Sequence, residues 1–77
     1  MGARQHAQAL KKILAIAWEG RWYNVSLEVV PDEYEPYAVL SAVDDAEQTV
    51  ASHRVATNFK FSRDVANEWV RGGFLQP

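Results

Sequence analysis

Cysteine is absent from the 77 residues. Neither disulfides nor thiolate zinc sites can therefore supplement the core, and a chain this short must rely on apolar packing or self-association. Histidine is scarce, with His6 and His53 only, so no three-histidine or helical histidine-pair zinc motif can be written. The four glycines, at 2, 20, 72 and 73, make no phosphate-cradling loop. No apolar run approaches the length of a bilayer span, so no membrane partner is expected. The opening "MGARQHAQALKKILAIAW" lacks the continuous apolar region and small-residue cleavage site of a signal peptide, and a cytoplasmic location in a microbial host is the expectation.

Basic residues are missing from the middle of the chain. Residues 22 to 53 carry Glu28, Asp32, Glu33, Glu35, Asp44, Asp45 and Glu47 with no Lys or Arg, a balance of −7 within a net charge of −2. The flanks are basic: Arg4, Lys11, Lys12 and Arg21 against Glu19 before it, and Arg54, Lys60, Arg63 and Arg71 against Asp64 and Glu68 after it. Such segregation biases steering more than fold, and it marks the centre as a place for a basic partner to dock.

Hydrophobic residues make up 48% of the chain and include three Trp, enough for one compact core, so residues 1 to 77 are expected to form a single domain. Ala3, Ala7, Leu10, Leu14 and Ala17, widened by Ile13 and Trp18, recur at helical spacing. They predict a first helix over 3–18, stopped by Gly20. The period then becomes two. Tyr23, Val25, Leu27 and Val29 alternate with Trp22, Asn24, Ser26 and Glu28, which predicts a half-buried strand.

"PYAVLSAV" reads as a second strand, with either Tyr37, Val39, Ser41 and Val43 or Ala38, Leu40 and Ala42 facing inward. "TVASHRVATNFKF" reads as a long third, with Ala51, His53, Val55, Thr57, Phe59 and Phe61 on one face. Ser62 is the expected N-cap of a last helix that buries Val65, Ala66, Trp69 and Val70 and ends at Gly72-Gly73, with Phe74 and Leu75 folding back. The expected fold is α+β: two layers in the order α-β-β-β-α, a three-stranded antiparallel meander with two helices on one face.

No catalytic constellation emerges, and the chain is expected to be non-enzymatic, without cofactor or metal. Ser52 and His53 are adjacent on a strand and point to opposite faces, so they cannot be a nucleophile and its base. His53 is expected to be a hydrogen-bonded core or edge histidine. Asp32, Glu33 and Glu35 fall in one turn and Asp44, Asp45 and Glu47 in the next. A meander puts consecutive turns at opposite ends, so the two sets cannot share a metal or act as a glycosidase pair.

The predicted element order resembles that of the double-stranded RNA-binding domain across nearly the whole chain. The functional positions of that family do not carry over: "PDEYEP" stands where the family has a Gly-Pro-His loop, and "SRDVANEW" where it has a lysine cluster. Carboxylates in that loop would repel phosphate.

Two surfaces remain. The acidic turn with its tyrosines, comprising Asp32, Glu33, Tyr34, Glu35 and Tyr37, together with the exposed Trp22, suits a basic protein partner. By class-level analogy this is the kind of surface a phage or mobile-element inhibitor would present to a nucleic-acid-handling enzyme. The alternative is nucleic-acid binding through the outer sheet face, by Trp22, Arg54 and Lys60, or through the basic first helix. Monomer and homodimer are both compatible with the composition.

Overall fold

The structure is a computed structural model and describes residues 10–76. Four strands, β1 (Leu10–Trp18), β2 (Arg21–Val30), β3 (Tyr37–Asp44) and β4 (Thr49–Val55), form one antiparallel sheet in sequence order, followed by a helix, α1 (Arg63–Arg71). The helix packs on one face. This corrects the expected α-β-β-β-α order with a three-stranded meander: there are four strands and a single helix, and the element order shared with the RNA-binding domain goes with it.

The difference lies in the first element. Residues 10–18, expected as helix, are a strand, and the rest of that predicted helix lies outside the described residues. Two periods coexist in "LKKILAIAW". Leu14, Ile16 and Trp18 repeat every second residue with alanines between them, and this set takes the core: Ile16 is 2% exposed, whereas Ile13, on the helical stripe, is 55% exposed.

The turn decides between the two periods. Glu19 (φ 51°) and Gly20 (φ 77°) both lie in the left-handed region, the requirement of a two-residue type I′ hairpin whose twist matches its flanking strands. Gly20 thus turns a hairpin rather than capping a helix. Pairing then runs unbroken from Trp18↔Arg21 to Leu10↔Val29. A lone amphipathic helix has no ladder of this kind to hold it and is marginal at such length.

One side of the sheet carries the core. Ile16, Val25, Leu40 and Ala42 meet Ala66, Trp69 and Val70 of α1, while Leu14, Trp18, Tyr23, Leu27, Ala51 and Val55 pack around them. In β3 the inward set is Ala38, Leu40 and Ala42, each 1% exposed or less, so Tyr37, Val39, Ser41 and Val43 face outward. The third predicted strand stops at Val55. Ala56 begins a turn in which its carbonyl accepts the Phe59 N–H (3.0 Å), and Phe59 and Phe61 leave the sheet to pack against the core from the crossover.

Helix α1 follows the sequence expectation closely. The Ser62 hydroxyl accepts the Val65 N–H (3.2 Å), which satisfies one of the free donors at the helix start, and Asp64 sits in the first turn where the helix dipole favours negative charge. After Gly72 and Gly73 the chain doubles back. Phe74 N–H bonds the Trp69 carbonyl (2.9 Å), Trp69 Nε1–H bonds the Leu75 carbonyl (2.7 Å), and the Phe74 ring meets Trp69 and Tyr23 edge-on at 5.3 Å each. Arg63 donates to the Ala15 carbonyl (3.0 Å) and Arg71 lies over the Trp18 ring (5.1 Å), so the helix runs along β1.

The two periods in β1 make opposite predictions. Ile16→Ala should cost about 2–5 kcal/mol and Ile13→Ala less than about 1 kcal/mol in urea unfolding, because only the first leaves a buried void. Equal losses would mean that the strand assignment is wrong.

Candidate functional site

Pro31 and Pro36 end β2 and β3 because proline cannot donate to the ladder, and the residues between them turn the chain. The Asp32 carboxylate accepts the backbone N–H groups of Tyr34 (3.4 Å) and Glu35 (3.3 Å), an Asx-type arrangement that shapes the tip of the loop. Tyr34 is thereby turned to solvent, 88% exposed. Glu33 and Glu35 are exposed beside it.

Tyr37 opens β3 on the outer face of the sheet. The guanidinium of Arg54 lies 4.0 Å from the centre of its ring, a cation–π contact between diagonal neighbours on adjacent strands. Asp32, Tyr34, Glu35, Tyr37 and Arg54, with Val55 to Thr57 behind them, line an open cleft of about 620 Å³. The fold therefore brings five of the expected residues together: Asp32, Glu33, Tyr34, Glu35 and Tyr37 share one end of the sheet. It also adds Arg54, which sequence reasoning had assigned to a different surface. The signal for that addition was present in the alternation of β4, but it could not be used while the facing of β3 was open.

Trp22 is elsewhere. It sits on the outer face, 58% exposed, beside Ala17 and next to the Glu19–Gly20 turn. Val30, the partner of Tyr37, lies eight steps further along β2, which is about 26 Å at the rise of an extended strand. The outer-face group of Trp22, Arg54 and Lys60 is dispersed as well: Lys60 lies in the crossover after β4, outside the sheet.

The second acidic turn has a structural duty. Asp44 Oδ1 accepts the N–H groups of Ala46 and Gln48 at 2.9 Å each, and the Asp44 carbonyl accepts that of Glu47 (3.0 Å), which takes a positive φ of 62°. This turn and the Tyr34 loop lie at opposite ends of the sheet. Among the described residues no group of three or more His, Asp or Glu side chains is placed to hold a metal ion.

His53, on the core face of β4, bonds the Phe74 carbonyl through Nε2 (3.2 Å), so that nitrogen carries the hydrogen. It also meets the Trp69 ring edge-on at 5.8 Å. Its role is to pin the C-terminal segment to the sheet. No described helix is long and apolar enough to cross a membrane.

No protein-family model matches this chain, and no curated protein or solved structure matches it either. Function has to be argued from the site itself.

The two acidic turns should respond differently to neutralisation. Asp44→Ala should cost about 1–2 kcal/mol because two short bonds to backbone donors are lost, while Asp44→Asn, which keeps an acceptor, should cost less. Asp32→Ala, whose bonds are long and exposed, should change stability by less than about 0.5 kcal/mol in the same denaturation series.

Proposed function

We propose that this chain is a non-enzymatic protein-interaction module that engages a basic partner surface through the β2–β3 loop. The observation that carries the reading is Tyr34, a large aromatic held 88% exposed at the tip of a turn whose backbone is ordered by Asp32. Tyrosine offers a rigid contact area with a polar end at low entropic cost, and such residues anchor interfaces. Glu33 and Glu35 add negative charge on either side, which raises encounter rates with a basic surface and disfavours phosphate. Tyr37, with Arg54 over its ring, supplies a second aromatic lining the cleft.

An inhibitor of a nucleic-acid-handling enzyme, of the kind carried by phages and mobile elements, is a role consistent with this surface, by class-level analogy only. The competing reading, nucleic-acid binding by Trp22, Arg54 and Lys60, would need one stacking platform. The distance between Trp22 and Arg54 and the position of Lys60 off the sheet argue against it.

Affinity capture from the host with the tagged chain, read by quantitative mass spectrometry, tests the loop. Tyr34→Ala should weaken retention of the captured partner by at least about tenfold, and the Glu33→Gln/Glu35→Gln pair should slow association and flatten its salt dependence. Retention of the same proteins by all three forms would remove the loop from function. Salt-sensitive binding of labelled oligonucleotides by the wild-type chain would favour the competing reading.

A further inference from the structure

The two edges of the sheet are not equivalent. Trp18 and Arg21 flank a two-residue turn and so exchange both of their backbone hydrogen bonds. Alternation along an antiparallel ladder then turns the N–H and C=O groups of Lys11, Ile13, Ala15 and Ala17 outward on β1. The bond from Arg63 to the Ala15 carbonyl (3.0 Å) agrees with that phase, and it places a side chain from the helix start across the β1 edge.

The same alternation, carried through the registers of β2 and β3, turns Ser52 and Arg54 outward on β4. Both residues are exposed, and among the described residues no backbone bond from outside the sheet reaches them. An edge strand with open donors and acceptors is a template for another strand.

We propose that β4 pairs antiparallel with β4 of a second copy of this chain, joining two four-stranded sheets across a two-fold axis near Ser52. The argument for a second copy, rather than an unrelated strand, is charge complementarity. Exposed Asp45 and Glu47 precede β4, and exposed Arg54 and Lys60 end or follow it. Antiparallel pairing about Ser52 sets Thr49 of one copy opposite Val55 of the other, which brings the turn before β4 of each copy toward the segment that follows β4 in its mate. The acidic turn of each copy therefore faces the basic end of its mate, twice by symmetry.

Two features that commonly protect an edge do not close this one. Arg54 lies over the Tyr37 ring on the outer face and so does not cover the backbone groups of the edge, while the residue stays exposed to the acidic turn of a mate. The bulge lies at the start of β4, between the Ala42 and Val43 pairings, and leaves Ala51 to Val55 in regular register. This pairing does not depend on the role given to the Tyr34 loop.

Sedimentation of the full chain over a concentration series should show a reversible monomer–dimer equilibrium. Ser52→Pro removes an outward N–H without touching the β3 ladder, and should weaken the dimer by on the order of tenfold or more, since the two-fold axis doubles the loss. Circular dichroism checks that this variant still folds. A second test avoids proline altogether. Asp45→Lys/Glu47→Lys and Arg54→Glu/Lys60→Glu chains should each self-associate less than wild type, yet form a heterodimer when mixed. The proposal fails if the wild-type chain stays monomeric up to about 1 mM. It fails equally if a dimer persists unchanged in folded Ser52→Pro and in the charge-exchanged chains, or is abolished by Trp22→Ser alone.

Discussion

Glu19 and Gly20 both take positive φ, and a chain that reverses direction over two such residues must bring the segments on either side into register within one step. Trp18 then faces Arg21, Ile16 faces Tyr23 and Leu14 faces Val25. Each of these pairs puts its side chains on the face that α1 covers. Slipping the register by one residue would bury Ile13, Ala15 and Ala17 and expose Ile16 and Trp18. The same turn fixes which carbonyls of β1 look outward, and hence the one that Arg63 meets. Core, helix placement and edge protection all follow from that reversal.

The second constraint is the width of the inward row of β3. Ala38 and Ala42 flank Leu40, and all three are buried. Leu40 and Ala42 of that row, with Ala66 on the helix, belong to the cluster that holds Trp69, whose ring reaches His53 on β4 and Phe74 beyond the helix end. Trp69 is therefore less a filler than a joint. Its indole N–H holds the Leu75 carbonyl and His53 holds that of Phe74, so the segment after α1 is tied to the helix by one bond and to β4 by the other.

Much of this was legible in the sequence. The Ser62 cap, the helix after it and its glycine end were readable because each rests on local chemistry at a fixed offset. So was the facing of β2, where alternation is clean. The first element was misread because its residues satisfy two periods at once, and alanine and glutamine favour helix in isolation. The arbitrating signal was the pair Glu19-Gly20, whose hairpin chemistry depends on a positive φ at a non-glycine residue and is weaker in sequence than Asn-Gly. The facing of β3 could not be read at all, since both of its alternating sets are apolar enough to bury. Once the structure decides it, Tyr37 and Arg54 fall on the same face and the loop acquires a neighbour that no local pattern announced.

The central acidic block changes meaning in three dimensions. As sequence it is a single run of seven carboxylates without a counter-charge. Folded, it divides between the two ends of the sheet. At one end Asp44 is consumed by the turn, its carboxylate bound to two backbone donors at 2.9 Å, so its role there is a matter of stability. At the other end the bonds from Asp32 are 3.3–3.4 Å long and solvent-exposed, and Glu33 and Glu35 are exposed on the same loop. A turn bounded by two prolines and shaped by Asp32 has no structural need for Glu33 and Glu35 as well, and leaving them exposed gains no stability. Concentrated negative charge that the fold does not use raises self-repulsion. Its natural offset is a positive surface on another molecule, and that is why the loop, rather than the more tightly bonded turn at the far end, is the stronger candidate for recognition.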